Sequence, residues 1–162
     1  MSGFIWPEAK SGLIIRDRAK GVAVPKKYEF IEHTADLGFM AYGASIEELF
    51  AHAAEAFFEA IVGLESVEER IERAIEVEAY AVDNLMVSWL GELLYLYDTE
   101  RLVFKRFQIK WIEDNHLQAS VYGEVLDPAR HEIKTGIKAV TYHQLYVKER
   151  KGGWEARVIF DI

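Results

Sequence analysis

The spacing of hydrophobic positions changes several times along the chain, and each change marks an element. KYEFIE (27–32) and GFMAYG (38–43) are short apolar-rich runs that predict strands, joined by the turn-forming HTADL. From Ser45 the period lengthens. Ile46, Leu49, Phe50, Ala53, Phe57 and Ile61 recur at helical spacing. Ser45 suits an N-cap, Glu48 completes a capping box, and Gly63 supplies a stop. Glu47, Glu48, Glu55 and Glu59 lie mostly off the stripe and predict a solvated face. After a charged stretch, Ile75, Val77 and Ala79 alternate with Glu76 and Glu78, the pattern of a half-buried strand. Asp83 is a plausible N-cap for a second helix. Its sequence, NLMVSWLGELLYLY, is apolar nearly all round, so it is buried on more than one side or forms a contact surface. Strands are then predicted at 103–111, 116–125, 136–149 and 154–162, with Gly152-Gly153 as a hairpin turn.

The order β-β-α-β-α-β-β-β-β does not alternate as a parallel α/β chain does. It predicts an α+β domain, mostly antiparallel sheet with two packed helices. A single domain over 27–162 suits the length of 162 residues. Residues 1–26 mix Pro7, Gly12, Gly21 and Pro25 with a short LII. They are expected to be a basic leader, loosely ordered or forming an extra edge segment.

Composition narrows the function classes. The chain has no cysteine, which excludes disulfides, thiolate zinc sites and cysteine nucleophiles and suits a reducing cytoplasm. No apolar run approaches the ~18 residues of a membrane span, and the start lacks a signal-peptide pattern. A soluble, cytoplasmic protein is expected. The net charge is −8, unevenly spread: residues 1–27 carry +4, leaving −12 on the remainder. Such a body repels phosphate backbones and suits a basic protein partner better than RNA or DNA.

Two acids stand out. In the last predicted strand, Trp154, Ala156, Val158, Phe160 and Ile162 share one face, whereas Glu155, Arg157, Ile159 and Asp161 share the other. Asp161 is then either a surface carboxylate at a frayed terminus or a ligand near a second acid. Asp36 is the obvious second acid, although an Asp before Leu-Gly also closes an Asx-turn. Two carboxylates, turn carbonyls and the terminal carboxylate of Ile162 would be hard oxygen ligands, favouring Ca²⁺, Mg²⁺ or Mn²⁺ over zinc. His131 falls in a predicted loop. His143 shares strand parity with Ile137, Ala139, Leu145 and Val147, which predicts a hydrogen-bonded, core-facing histidine. Lys138 shares the other face with Val140, Tyr142 and Tyr146, where it snorkels or meets an anion. Neither a glycine-rich phosphate loop nor a G-x-S-x-G elbow is present. The lack of a complete catalytic set favours a binding or activating protein over an independent enzyme.

HTADLGF (33–39), SIEELFAHAAEAFF (45–58), NLMVSWLGELLYLYD (84–98), LDPARHEIKTGIKAVTYH (126–143) and the closing VIFDI (158–162) together resemble the archease family over 27–162. The resemblance implies a small α+β protein that is not itself an enzyme. It would assist the RtcB-type tRNA-splicing RNA ligase, which joins 2′,3′-cyclic phosphate or 3′-phosphate ends to a 5′-hydroxyl. The ligase first has one of its histidines guanylylated with GTP and a divalent metal. The helper promotes that guanylylation and so supports multiple turnover. The family's acidic metal site carries over to Asp36 and Asp161, with Lys138 a weaker candidate for activation. His131 and His143 match motif positions without an assigned role. A chaperone-like module for RNA-modifying enzymes is a second reading. A metal-dependent phosphohydrolase is a third; it would need a phosphate clamp that the sequence lacks.

The charge distribution carries its own test. Long RNA is expected to bind the isolated protein weakly at physiological salt, as measured by fluorescence anisotropy. A submicromolar complex that persists there contradicts the expectation.

Overall fold

The computed structural model describes residues 14–17, 22–32 and 36–162. Two short strands, β1 (Ile14–Asp17) and β2 (Val22–Pro25), pair antiparallel as a sheet of their own. Then follow β3 (Tyr28–Glu32), β4 (Asp36–Gly43), α1 (Ile46–Ile61), β5 (Ile71–Glu78), α2 (Val82–Glu100), β6 (Leu102–Glu113), β7 (His116–Val125), β8 (Ala139–Val140), β9 (Tyr146–Arg150) and β10 (Gly153–Asp161). A five-stranded sheet runs β3-β4-β10, with β8 and β9 sharing the far edge of β10. A three-stranded sheet runs β5-β7-β6. All strand pairings among the described residues are antiparallel. The expected α+β class with two helices is what forms.

α1 lies against both sheets. Neighbouring side chains on a helix point about 100° apart, and Phe57 and Phe58 use that difference. Phe57 meets Phe160 of the five-stranded sheet, whereas Phe58 meets Phe104 and Phe107 of the three-stranded one. This two-sided burial explains why Ala54, Ala56 and Ala60 are buried as well as the predicted stripe. The cap is as predicted in kind: Glu48 N–H donates to Ser45 Oγ at 3.1 Å. The Glu48 carboxylate reaches back to Ala44 N–H instead of Ser45 N–H. Gly63, at φ 79°, ends the helix with its N–H on Phe58 O.

α2 is buried on more than one side, through Leu85, Met86, Trp89, Leu90, Leu93, Leu94, Leu96 and Tyr97. Trp89 Nε1–H donates to Phe50 O at 2.9 Å inside the core, fastening α2 to α1. The predicted N-cap at Asp83 is wrong by two residues. Ala81 occupies the cap, and Asp83 Oδ1 accepts from Val147 N–H at 3.0 Å, tying the helix start to β9. β6 and β7 form one long hairpin through Asp114 and Asn115, both at positive φ, as a two-residue turn requires.

The predicted strand 136–149 is not continuous. Only β8 and β9 pair with β10, and residues 141–145 turn between them, with Gln144 at φ 53°. Alternation therefore resets. Val140 packs on the main core opposite Phe160, and Ala139 sits opposite Asp161.

His131 holds the preceding loop. Its Nδ1 accepts from Asp127 N–H at 2.8 Å, so its Nε2–H donates to Glu124 Oε2 at 2.9 Å. Glu124 also accepts from Glu68 N–H and from Arg130. Burial works against the Glu124 carboxylate. The Glu68 N–H, Arg130 and His131 outweigh it and hold the group below the usual carboxylate range.

Two predictions follow from this architecture. Because the folded-state value of Glu124 is depressed, its contribution is present above pH ~4.5 and fades as pH falls through that lower value. Glu124→Ala should cost about 3 kcal/mol in urea unfolding at neutral pH, and the deficit should shrink on acidification. In the second, a Cβ on Gly38 would stand 2.7 Å from Val158 O and 2.6 Å from Ile159 Cδ1. Gly38→Ala should lower stability by about 1–3 kcal/mol in the same assay.

Candidate functional site

Asp36 opens β4 and Asp161 closes β10, and the register sets them directly opposite each other. Their chain neighbours fix which way they point. Leu37 and Phe39 on β4, and Val158 and Phe160 on β10, belong to the helix-covered core. The two aspartates accordingly share the opposite face. With Ala139, Thr141, His143 and Ile159 they line a concavity of about 360 Å³. The segment after Ile137 is sewn to the end of β10. Lys138 N–H donates to Asp161 O at 2.7 Å, and Thr141 donates to Ile159 O through both N–H and Oγ1–H.

The electrostatics are one-sided. Among the described residues, none donates a hydrogen bond to either aspartate side chain or pairs with it as a salt bridge. Like charges directly opposite each other across a ladder destabilise it, by roughly 0.2–1 kcal/mol. Glu124 is the contrast within the same molecule, a carboxylate surrounded by donors. A hard cation between Asp36 and Asp161 would remove the repulsion and use oxygens that nothing in the described protein uses. Among the described residues no three His, Asp or Glu side chains gather as a ligand group. Further ligands would be backbone oxygens, water or a carboxylate at Ile162.

The predicted site residues separate. Asp36 and Asp161 come together. Ile162 follows directly and is 40 % exposed. Lys138 is exposed, just before β8, so the strand face predicted for it does not form. His143 corrects the expectation of a core-facing histidine. It is exposed in the turn after β8 because the strand breaks there, and it lines the concavity. His131 is 3 % exposed and belongs to the Glu124 network instead. The remainder of HTAD, residues 33–35, lies outside the described residues. Sequence reasoning missed Ala139, Thr141 and Ile159 as lining residues. Strand parity already puts Ile159 beside Asp161, whereas only the pairing of β8 with β10 brings Ala139 and Thr141 there, and no local pattern encodes that pairing.

Comparison with known proteins bears on the whole domain. The model of the Archease protein family (MTH1598/TM1083) matches residues 28–162. Protein archease of Methanosarcina mazei is 43 % identical over 141 residues, covering 85 % of this chain and 97 % of the relative. Protein archease of Pyrococcus abyssi is 42 % identical over 142 residues, covering 85 % and 99 %. The solution structure of Methanobacterium thermoautotrophicum protein 1598 superposes with a TM-score of 0.74 at 38 % identity, covering 84 % and 99 %. An archease from Thermotoga maritima, described as a possible chaperone, shares the fold at a TM-score of 0.60 and 24 % identity, covering 82 % and 94 %. With its family model matched from β3 to the last residue and relatives above 40 % identity over nearly their full length, the chain belongs to the archease family.

Proposed function

We propose that this protein activates an RtcB-type tRNA-splicing RNA ligase, promoting guanylylation of the ligase, and that it works in the cytoplasm. The observation that carries the reading is the facing of Asp36 and Asp161 in a concavity where neither side chain has a described protein partner. Asp36 and Asp161 would hold a divalent cation, Ca²⁺, Mg²⁺ or Mn²⁺, with a carboxylate at Ile162 as an additional donor. The cation would supply positive charge for phosphate oxygens. The chain's own part is to fix two carboxylates at the end of a rigid sheet. Lys138, exposed beside Asp161, is a second cation within the same neighbourhood.

The acidic body supports docking on a protein whose active site grips RNA and GTP, because such a site must be basic. The Thermotoga relative's description as a possible chaperone supports a second reading, in which the protein assists folding or solubility of an RNA-modifying enzyme. Catalytic amounts separate the two. An activator raises ligase guanylylation and turnover well below one equivalent, whereas a chaperone acting by sustained binding needs stoichiometric protein.

The site predicts opposite signs for stability and activity. In chelator, Asp36→Asn and Asp161→Asn should each raise stability by roughly 0.2–1 kcal/mol, because one of two facing charges is gone. Added Ca²⁺ or Mn²⁺ should stabilise the wild type by mass action and the variants much less. Both variants should lose most ligase stimulation. Thermal unfolding with and without metal, beside stimulated guanylylation, checks all of this. Full stimulation by either variant removes that residue from the site.

A further inference from the structure

The aspartate concavity has a floor and a wall of different construction. Asp36, Ile159 and Asp161 sit on β4 and β10, and β10 packs against α1 through Phe160. Ala139, Thr141 and His143 reach the concavity from the far end of residues 126–138, a segment that forms neither helix nor strand. Such a segment opens readily unless side chains fasten it.

The buried side chains of 126–138 are Leu126, His131 and Ile137. Leu126 and Ile137 are apolar, lie near the two ends and belong to the main core. His131 lies between them with its side chain fully shielded. Its two ring nitrogens do different things. Nδ1 accepts from Asp127 N–H at 2.8 Å, a bond within the segment itself. Nε2–H donates to Glu124 Oε2 at 2.9 Å, and Glu124 is on β7, so this bond ties the segment to the three-stranded sheet.

Glu124 is a firm anchor. It accepts from Glu68 N–H at 2.7 Å and from Arg130, and Arg70 Nε lies 3.4 Å from Oε1. A buried polar network whose members are satisfied is rigid. Beyond His131 the fastenings are sparse. Glu132, Ile133, Lys134, Gly136 and Lys138 are exposed. Between Glu132 and Lys138, two backbone N–H groups bond other backbone oxygens among the described residues: Lys134 on Ile61 O and Lys138 on Asp161 O, both at 2.7 Å. The second of these is the junction of wall and floor.

We propose that His131 is a positioning residue for the aspartate site: through Glu124 it fixes the 126–138 segment, and so sets Lys138, Ala139, Thr141 and His143 against the two carboxylates. The proposal rests on the reading of Asp36 and Asp161 as the working site. His131 bonds neither aspartate. The carboxylates keep their spacing without it, because β4 and β10 fix them. The floor thus holds a cation by itself, while the wall, which brings an amine and an imidazole, depends on His131.

Amide hydrogen exchange resolved by NMR tests this on the full chain alone. His131→Asn places Oδ1 as many bonds from Cα as the ring Nδ1, so it can accept from Asp127 N–H, but it is too short to donate to Glu124. His131→Gln places Nε2 as many bonds out as the ring Nε2 and can donate to Glu124. His131→Asn should lower the protection of Lys138 and Thr141 N–H several-fold more than that of amides paired across β4 and β10, and His131→Gln should restore most of it. Mn²⁺ should stabilise both variants as it does the wild type, whereas stimulation of ligase guanylylation should fall in His131→Asn and return in His131→Gln. Should His131→Asn not fold, Glu124→Gln weakens the same bond with the histidine in place and should give the same exchange pattern. Unchanged protection at Lys138 and Thr141 overturns the proposal. So does an equal loss at every amide, which marks a general loss of stability. Exchange loss confined to the wall, in a protein that stimulates no ligase, supports the positioning and refutes the proposed activity instead.

Discussion

Everything at the seam of this domain depends on the register between β4 and β10. Side chains alternate with a period of two, so a slip by one residue would turn Phe160 and Val158 into water and carry Asp161 into the core. Gly38 is one reason the register holds. At that point Ile159 and the Val158 carbonyl approach the β4 backbone closer than any Cβ allows. The core supplies the other reason, since Phe39 and Phe57 both meet Phe160. Packing on one face thereby dictates electrostatics on the other. The aromatic contacts stabilise the same alignment that brings two uncompensated carboxylates together.

The fold was largely legible because local chemistry and tertiary demand agree along most of the chain. Ser45 and Gly63 announce the two ends of α1 and serve as expected, while the Glu48 carboxylate reaches one residue further back, to Ala44 N–H. Departures occur where a distant partner recruits a residue. Asp83 resembles a cap, yet Val147 N–H claims its carboxylate, and the helix starts earlier. The 136–149 run alternates well enough to resemble one strand. The edge of β10 is divided between two short partners, however, and the backbone must turn at Gln144 to serve both. That break also decides the site. Strand parity turns Asp161 outward, and only the family resemblance pairs it with Asp36. Inward parity for His143 requires an unbroken strand, and the turn at 141–145 removes it. His131 was placed correctly in a loop, but its bond to Glu124 joins positions that no periodicity links.

The molecule handles carboxylates in three distinct ways. Glu124 is surrounded by donors and serves as a loop anchor. Glu155 is buried with one phenol and one guanidinium beside it, which suits a covered interior. Asp36 and Asp161 receive no described donor and remain partly open to solvent. Burying a charge without partners is expensive, and holding one at the surface is not. The free pair is therefore located where its cost is small and where a cation can still reach it.

β4 is near the beginning of the matched domain and β10 is its last strand, with both helices and five strands between them in sequence. Whatever bridges the two aspartates consequently closes the longest loop in the domain. Such a bridge would add to the cohesion of the sheet, and opening of the sheet would release it. A cation held there would couple its own binding to the stability of the fold by mass action. The seam joins the two ends of the matched domain, so its geometry exists only once the strands between them have folded.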